Sequence, residues 1–264
     1  MRALRASLGN SVAAKVRSGA ELLRRAANSG TTVTLPTMLS AIDTLLGGGL
    51  RRGKMVELVS RRASGRFSIV MSTLVAATSM GEAAALIDLG DHFDPQLAAQ
   101  NGADLRRLLW IRPRTVKEAV MSAEMITATG FQLVIVDVGL HPVRGRRAPD
   151  AAWVRLARTA ESQNTAMLVS SPYPLTGTAS EAVLKASFSR ARWINIGVPR
   201  GSSGSSGSSE GAPPRDRGTP RHSEELHARS PRLLDGIDMH VTLEKHRHIK
   251  PGAQATQPFE SADK

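Results

Sequence analysis

Between Leu35 and about Ile196 short apolar runs alternate with stretches of helical periodicity, an order that restricts the fold to parallel strands joined by crossover helices. Short apolar runs bounded by turn-forming residues read as parallel strands, with Leu133–Val138 the clearest buried one. They occur at Met55–Val59, Ala84–Asp88, Leu108–Ile111, Leu133–Val138 and Ala166–Ser170, and a final strand near Arg192–Ile196 is expected to close the core. Helices are expected over roughly residues 67–80 and 151–162, with 91–107 a polar connection. A hydrophobic content of 41% in 264 residues is enough for one α/β core with appendages.

The flanks differ in character. Residues 1–30 carry Leu4, Leu8, Val12, Val16 and Leu22/Leu23 at near-helical spacing among arginines, which suggests a basic amphipathic helix. The core is expected over 31–198. Residues 199–236, including GSSGSSGSSEGAPPRDRGTP, read as a flexible linker too poor in apolar groups to order itself. Residues 237–264 supply one late strand, 238–245, expected at the core's edge, and then a polar end from Pro251.

Composition narrows the chemistry. With no cysteine there are no disulfides, thiolate metal sites or cysteine nucleophiles, in keeping with a reducing compartment. No apolar run approaches the roughly 20 residues of a membrane span, so a soluble, cytoplasmic protein without membrane contact is expected. The formal charge of +12 points to an anionic partner, with DNA first and an acidic protein surface second. Arg51, Arg52, Lys54, Arg61, Arg62 and Arg66 crowd around one turn, and Arg144, Arg146 and Arg147 form a second cluster. These clusters read either as a binding surface or as solvated faces of an arginine-rich chain. Aromatics at 3% leave little for stacking unpaired bases; Trp110, Trp153 and Trp193 read as core.

The turn in question is Glu57–Ser68, ELVSRRASGRFS, which has the shape of a phosphate-binding loop. In the form G-x-x-x-x-G-K-[ST], glycines let backbone N–H groups close on phosphates, Lys holds the terminal phosphates and the hydroxyl ligates magnesium. Here Ser60 stands for the first Gly, Gly65 is kept, Arg66 replaces Lys and Phe67 replaces the hydroxyl residue, with Ser64 just before the glycine. Arg66 is expected to make an anion contact or face solvent, and Phe67 to help pack the following helix.

Around this loop, LPTMLSAIDTLLGGGLRRGKMVELV, ALIDLGDHFDPQLAAQNGADLRRLLW, LVIVDV and RLARTAESQNTAMLVSS resemble the RecA recombinase core over roughly residues 35–198, with a reprise at 238–250. The resemblance implies an α/β, RecA-like P-loop fold with a mostly parallel central sheet flanked by helices and a degenerate phosphate loop. It places Asp137 as the magnesium-side acid, yet an Asp ending a buried strand also caps the next element or pairs with an arginine, here expected from 144–147. Where the family has its water-activating glutamate this chain has Gly90, with Asp91 adjacent. Where it has a γ-phosphate-sensing amide the sequence runs Ser170-Ser171-Pro172. Lys245 and Arg247 resemble basic residues that reach a neighbouring subunit's nucleotide; as solvated charges on an edge strand they read equally simply.

GRFSIVMSTLVAA, the LLW-x-RP block, GFQLVIVDV and WVRLARTAESQNTAMLVSS look most like the RecA-like accessory protein of bacterial mutagenic translesion cassettes, the ImuA type. That resemblance implies a non-catalytic, pseudo-ATPase adaptor in SOS-type damage tolerance, nucleoid-associated when acting. Its implied partners are a Y-family polymerase-like protein and an error-prone polymerase, with RecA and DNA as further contacts. No cofactor is expected, residual ATP binding being left open. The alternatives are a DNA-dependent ATPase or recombination mediator and a non-specific DNA-binding protein. His240, His246 and His248 lack the cysteines or paired carboxylates of a metal cluster, and Ser64, Ser68 and Ser170 lack a nucleophile's His/Asp context.

Overall fold

The structure is a computed structural model that describes residues 33–60, 64–140, 149–195 and 232–260. The N-terminal amphipathic segment, Arg61, Arg62, Arg144, Arg146, Arg147 and most of the linker lie outside the described residues.

A small hairpin, β1 (Thr34–Leu35) against β2 (Leu50–Arg51), brackets helix α1 (Ser40–Leu46) ahead of the main sheet. The elements that follow are β3 (Met55–Val59), α2 (Arg66–Ser79), β4 (Ala84–Asp88), α3 (Pro95–Gln100) and β5 (Leu108–Ile111). Then come α4 (Val116–Ala128), β6 (Leu133–Asp137), α5 (Asp150–Gln163), β7 (Ala166–Ser171), β8 (Ala182–Asn195), β9 (Arg232–His246) and β10 (Gln254–Glu260). The sheet has eight strands in the order β10-β9-β8-β3-β7-β6-β4-β5. Every pairing from β8 to β5 is parallel, and β9 and β10 add antiparallel.

Alternation along each strand sends side chains to two cores. On one face Val56, Leu58, Leu86, Ile135 and Leu168 pack under α1 and α2; on the other Met55, Ile87, Val134, Val136 and Val169 meet α4 and α5, with Trp153 buried among them. Each such fully buried aliphatic side chain contributes about 1.5–3 kcal/mol. The mostly parallel sheet flanked by helices is the expected architecture. It places the ends of β3, β4, β6 and β7 at one rim, where ligand sites of open α/β sheets form.

Several expected boundaries move. The strand placed near 192–196 begins at Ala182, because Ala182, Leu184 and Ala186 face the core while Lys185 and Ser187 point out. The late strand extends to Arg232–His246 and lies inside the sheet, with Met239, Val241 and Leu243 buried. The edge on that side belongs to β10, in the segment read as a polar end, and β5 is the opposite edge. Pro258, which has no N–H to give a further strand, suits an edge position. Within the stretch read as polar connection, Asp94 caps α3 by accepting from Gln96 and Leu97 N–H. Helix α4 was not read from the sequence.

Candidate functional site: the modified phosphate loop

Gly65 stands at φ 77°, a conformation that favours glycine, and a Cβ there would press on the Met239 side chain, 3.0 Å from its Sδ. The next residue, Arg66, opens α2. A cation at a helix N-terminus opposes the helix dipole, whose positive end favours anions. Arg66 resolves this by turning inward. Its Nη1 donates to Asp137 Oδ1 at 2.8 Å and to Ser170 Oγ at 2.5 Å, and its Nη2 donates to the Gly139 carbonyl at 2.5 Å. Ser170 Oγ also donates to Asp137 Oδ1 at 2.6 Å. Arg66 is 4% exposed and Asp137 0%.

One expectation is corrected here. Arg66 neither faces solvent nor reaches into open space for an anion; it is a buried ion-pair partner. Asp137 does pair with an arginine, and among the described residues that partner is Arg66 from the loop helix; the arginines of 144–147 lie outside them. Burial is the largest influence on both groups. It pushes the Asp137 carboxyl above its ordinary range, opposed by Arg66 and the Ser170 hydroxyl, and it pulls Arg66 below its usual value, opposed by Asp137.

The Ser60 and Ser64 hydroxyls are buried and hydrogen-bonded to each other, and Ser60 N–H donates to the Ser171 carbonyl at 3.0 Å. Phe67 packs half-buried against the core below α2, as expected, with its ring edge-on to His92 at 6.2 Å. Ser64, Gly65, Arg66, Phe67, Ser68, His92 and Leu140 leave a pocket of about 260 Å³. That is small beside the roughly 300–1,000 Å³ of small-molecule sites.

Gly90 is fixed by crowding. A Cβ on it would overlap His92 Nδ1 and come within 2.6 Å of Gly139 Cα. Asp91, its neighbour, turns away at φ 53°, and its carboxylate accepts from Arg112 Nη2 at 2.5 Å; that bond holds the carboxyl below the ordinary range. Arg112 in turn lies 5.0 Å over the ring of Trp110, which is only partly buried. Trp153 is core as expected.

Sequence reasoning missed two members of the site. Asp88 is the register partner of Asp137 and is buried, accepting from His92 N–H at 3.3 Å and Phe93 N–H at 3.0 Å. His92 Nδ1 stands 4.0 Å from Asp137 Oδ2. The donor set of Asp88, His92 and Asp137 lies within 4.8 Å of one another, which suits a cation.

The remaining basic candidates do not belong here. Arg51, Arg52 and Lys54 precede β3, so a five-residue strand, about 17 Å, separates them from the loop they were expected to surround. Arg51 bonds Glu181 at 2.7 Å, Arg52 pairs with Glu82, and Lys54 bonds Glu161 at 2.6 Å. Lys245 is not a solvated edge charge: it donates to the Ser180 and Gly177 carbonyls, and burial lowers its pKa. Arg247 is exposed beside Arg158 on a pocket of about 330 Å³ at that same far end. His246 Nδ1 accepts from His248 and Ile249 N–H, a packed turn. No helix among the described residues is long and apolar enough to cross a membrane.

Residues 13–143 match the RecA N-terminal domain. The proteins named Protein RecA from Clavibacter michiganensis subsp. michiganensis and Mycobacterium marinum are 35% and 33% identical over 105 residues, 39% of this chain. These alignments span 29% and 30% of those proteins' length, less than a third. Among solved structures, the crystal structure of the RadB recombinase superposes with a TM-score of 0.55 at 18% identity, covering 84% of this chain and 94% of that one. The fold is RecA-like.

Proposed function

We propose that this chain is a RecA-like protein whose nucleotide site has become part of its core, and that it serves as a non-catalytic adaptor in damage-tolerant DNA synthesis. The observation that carries this reading is the buried Arg66–Asp137 pair. Phosphoryl transfer rests on positioning and on neutralising charge with a mobile Lys, a metal and a water-orienting group. Here the loop cation is spent on the acidic strand, Phe67 offers no metal ligand, and Gly90 has no room for a carboxylate.

The adaptor role and its partners rest on the resemblance to accessory proteins of mutagenic translesion cassettes. That resemblance names a Y-family polymerase-like protein and an error-prone polymerase, with RecA as a further contact. The proteins named RecA among the relatives fit a role in DNA repair. The net charge of +12 suits DNA nearby. The ATPase alternative needs Arg66 free and Asp91 directed into the site, whereas Asp91 is held by Arg112.

Co-purification with the polymerase-like partner tests the reading. The complex is expected to form equally with and without ATP and magnesium. A complex that requires ATP would replace the adaptor with a nucleotide-driven switch.

A further inference from the structure

Asp88, His92 and Asp137 form a set for which the arginine-locked loop has no use. The two aspartates end adjacent strands in register, 1% and 0% exposed, and His92 reaches over them from the loop after β4. Asp137 Oδ1 takes both Arg66 and Ser170, while its Oδ2 is buried and accepts no hydrogen bond. A buried carboxylate oxygen in that state has lost its water without replacement, a cost of about 1–3 kcal/mol or more.

The atom facing it is His92 Nδ1 at 4.0 Å, too far for a hydrogen bond. Two ligands each about 2.0–2.2 Å from one tetrahedral ion stand roughly 3.3–3.6 Å apart, so the imidazole closes on Oδ2 by about half an ångström when both take the same ion. Asp88 completes the set, since each of its oxygens accepts a single backbone N–H and keeps a lone pair. Gly90 makes the arrangement possible, because a side chain there would occupy the place of the imidazole. His92 is about one-third exposed and lines the 260 Å³ pocket, which gives an ion and its waters a route in.

We propose that Asp88, His92 and Asp137 bind one divalent first-row transition ion, Zn²⁺ in the first place, with water completing the coordination. An imidazole with two carboxylates suits zinc, whereas magnesium takes oxygen ligands and binds beside substrate phosphates. Arg66 and Ser170 then have a second effect: by fixing Oδ1 they aim Oδ2 at the ion. The inference stands whether or not the chain turns over ATP, because it requires no nucleotide.

The test is titration of the full chain with Zn²⁺, and with Co²⁺ followed by its visible absorption, in the absence of nucleotide. One equivalent should bind. His92→Ala, checked for native circular dichroism, should weaken binding about tenfold or more, and Asp88→Asn should do the same. A His246→Ala/His248→Ala variant should bind as the wild type does. Absence of stoichiometric binding, binding unchanged in His92→Ala, or binding lost with the tail histidines would each overturn the proposal.

Discussion

Gly90 and His92 divide a space that admits only one side chain: a Cβ on residue 90 would overlap the His92 imidazole and press on the Gly139 backbone at 2.6 Å. The position where the RecA resemblance places a glutamate is therefore closed, not merely vacant. Gly90→Glu should destabilise the fold by about 1–3 kcal/mol, since β4 and β6 must part to admit it. Thermal melting reads this; a variant as stable as the wild type would mean that the strand ends are slack.

Arg66 is the only counter-ion within hydrogen-bonding distance of Asp137 among the described residues. Arg66→Met should cost about 3–5 kcal/mol at neutral pH, the usual result of orphaning a buried charge. The sign of its pH dependence follows from burial. Asp137 is already pushed up, and losing Arg66 removes a major influence holding it down. The native variant then keeps a proton that the unfolded chain releases. Its stability is fully present below the unfolded carboxylate value and falls as pH rises through the raised one. Melting from pH 8 to pH 5 should therefore show the deficit shrinking, and Arg66→Met/Asp137→Asn should recover stability at neutral pH.

Glu57 fastens the segment after β7. Its carboxylate is 1% exposed and accepts from Leu175 N–H at 2.5 Å, Thr176 N–H at 3.2 Å and Thr176 Oγ1 at 2.6 Å. Glu57→Ala leaves those donors buried and should cost about 2–4 kcal/mol by chemical denaturation. A loss below about 1 kcal/mol would show that water replaces the carboxylate there.

The tail is structural. Strand β9 lies between β8 and β10 and buries Met239, Val241 and Leu243 over the loop helix. Truncation after residue 231 should expose that face and yield an aggregating chain. A soluble monomer with native circular dichroism would show that the six parallel strands suffice.

The strands buried on both faces were legible almost to the residue, because continuous apolar runs such as Leu133–Asp137 admit few other readings. Helix α4 was not, since its buried stripe of Val116, Ala119, Val120 and Ala123 is mostly small while Met121 and Met125 face solvent. Strand β8 hid for a related reason: its buried residues include Ala182 and Ala186, and Lys185 interrupts them. At the site, the degenerate loop could be seen in the letters, but not the direction of Arg66. A charged residue opening a helix reads as exposed, and only the parallel register of β6 and β7 brings Asp137 and Ser170 under it. Asp88 and His92 escaped notice because their meaning depends on the pairing of β4 with β6.

The central claim, that Arg66 has turned a nucleotide site into core, is tested most directly by ATP turnover of the purified chain with magnesium, with and without single-stranded DNA. The buried Arg66–Asp137 pair and the closed space at Gly90 predict no turnover above a blank in either condition. Turnover that single-stranded DNA stimulates would contradict it.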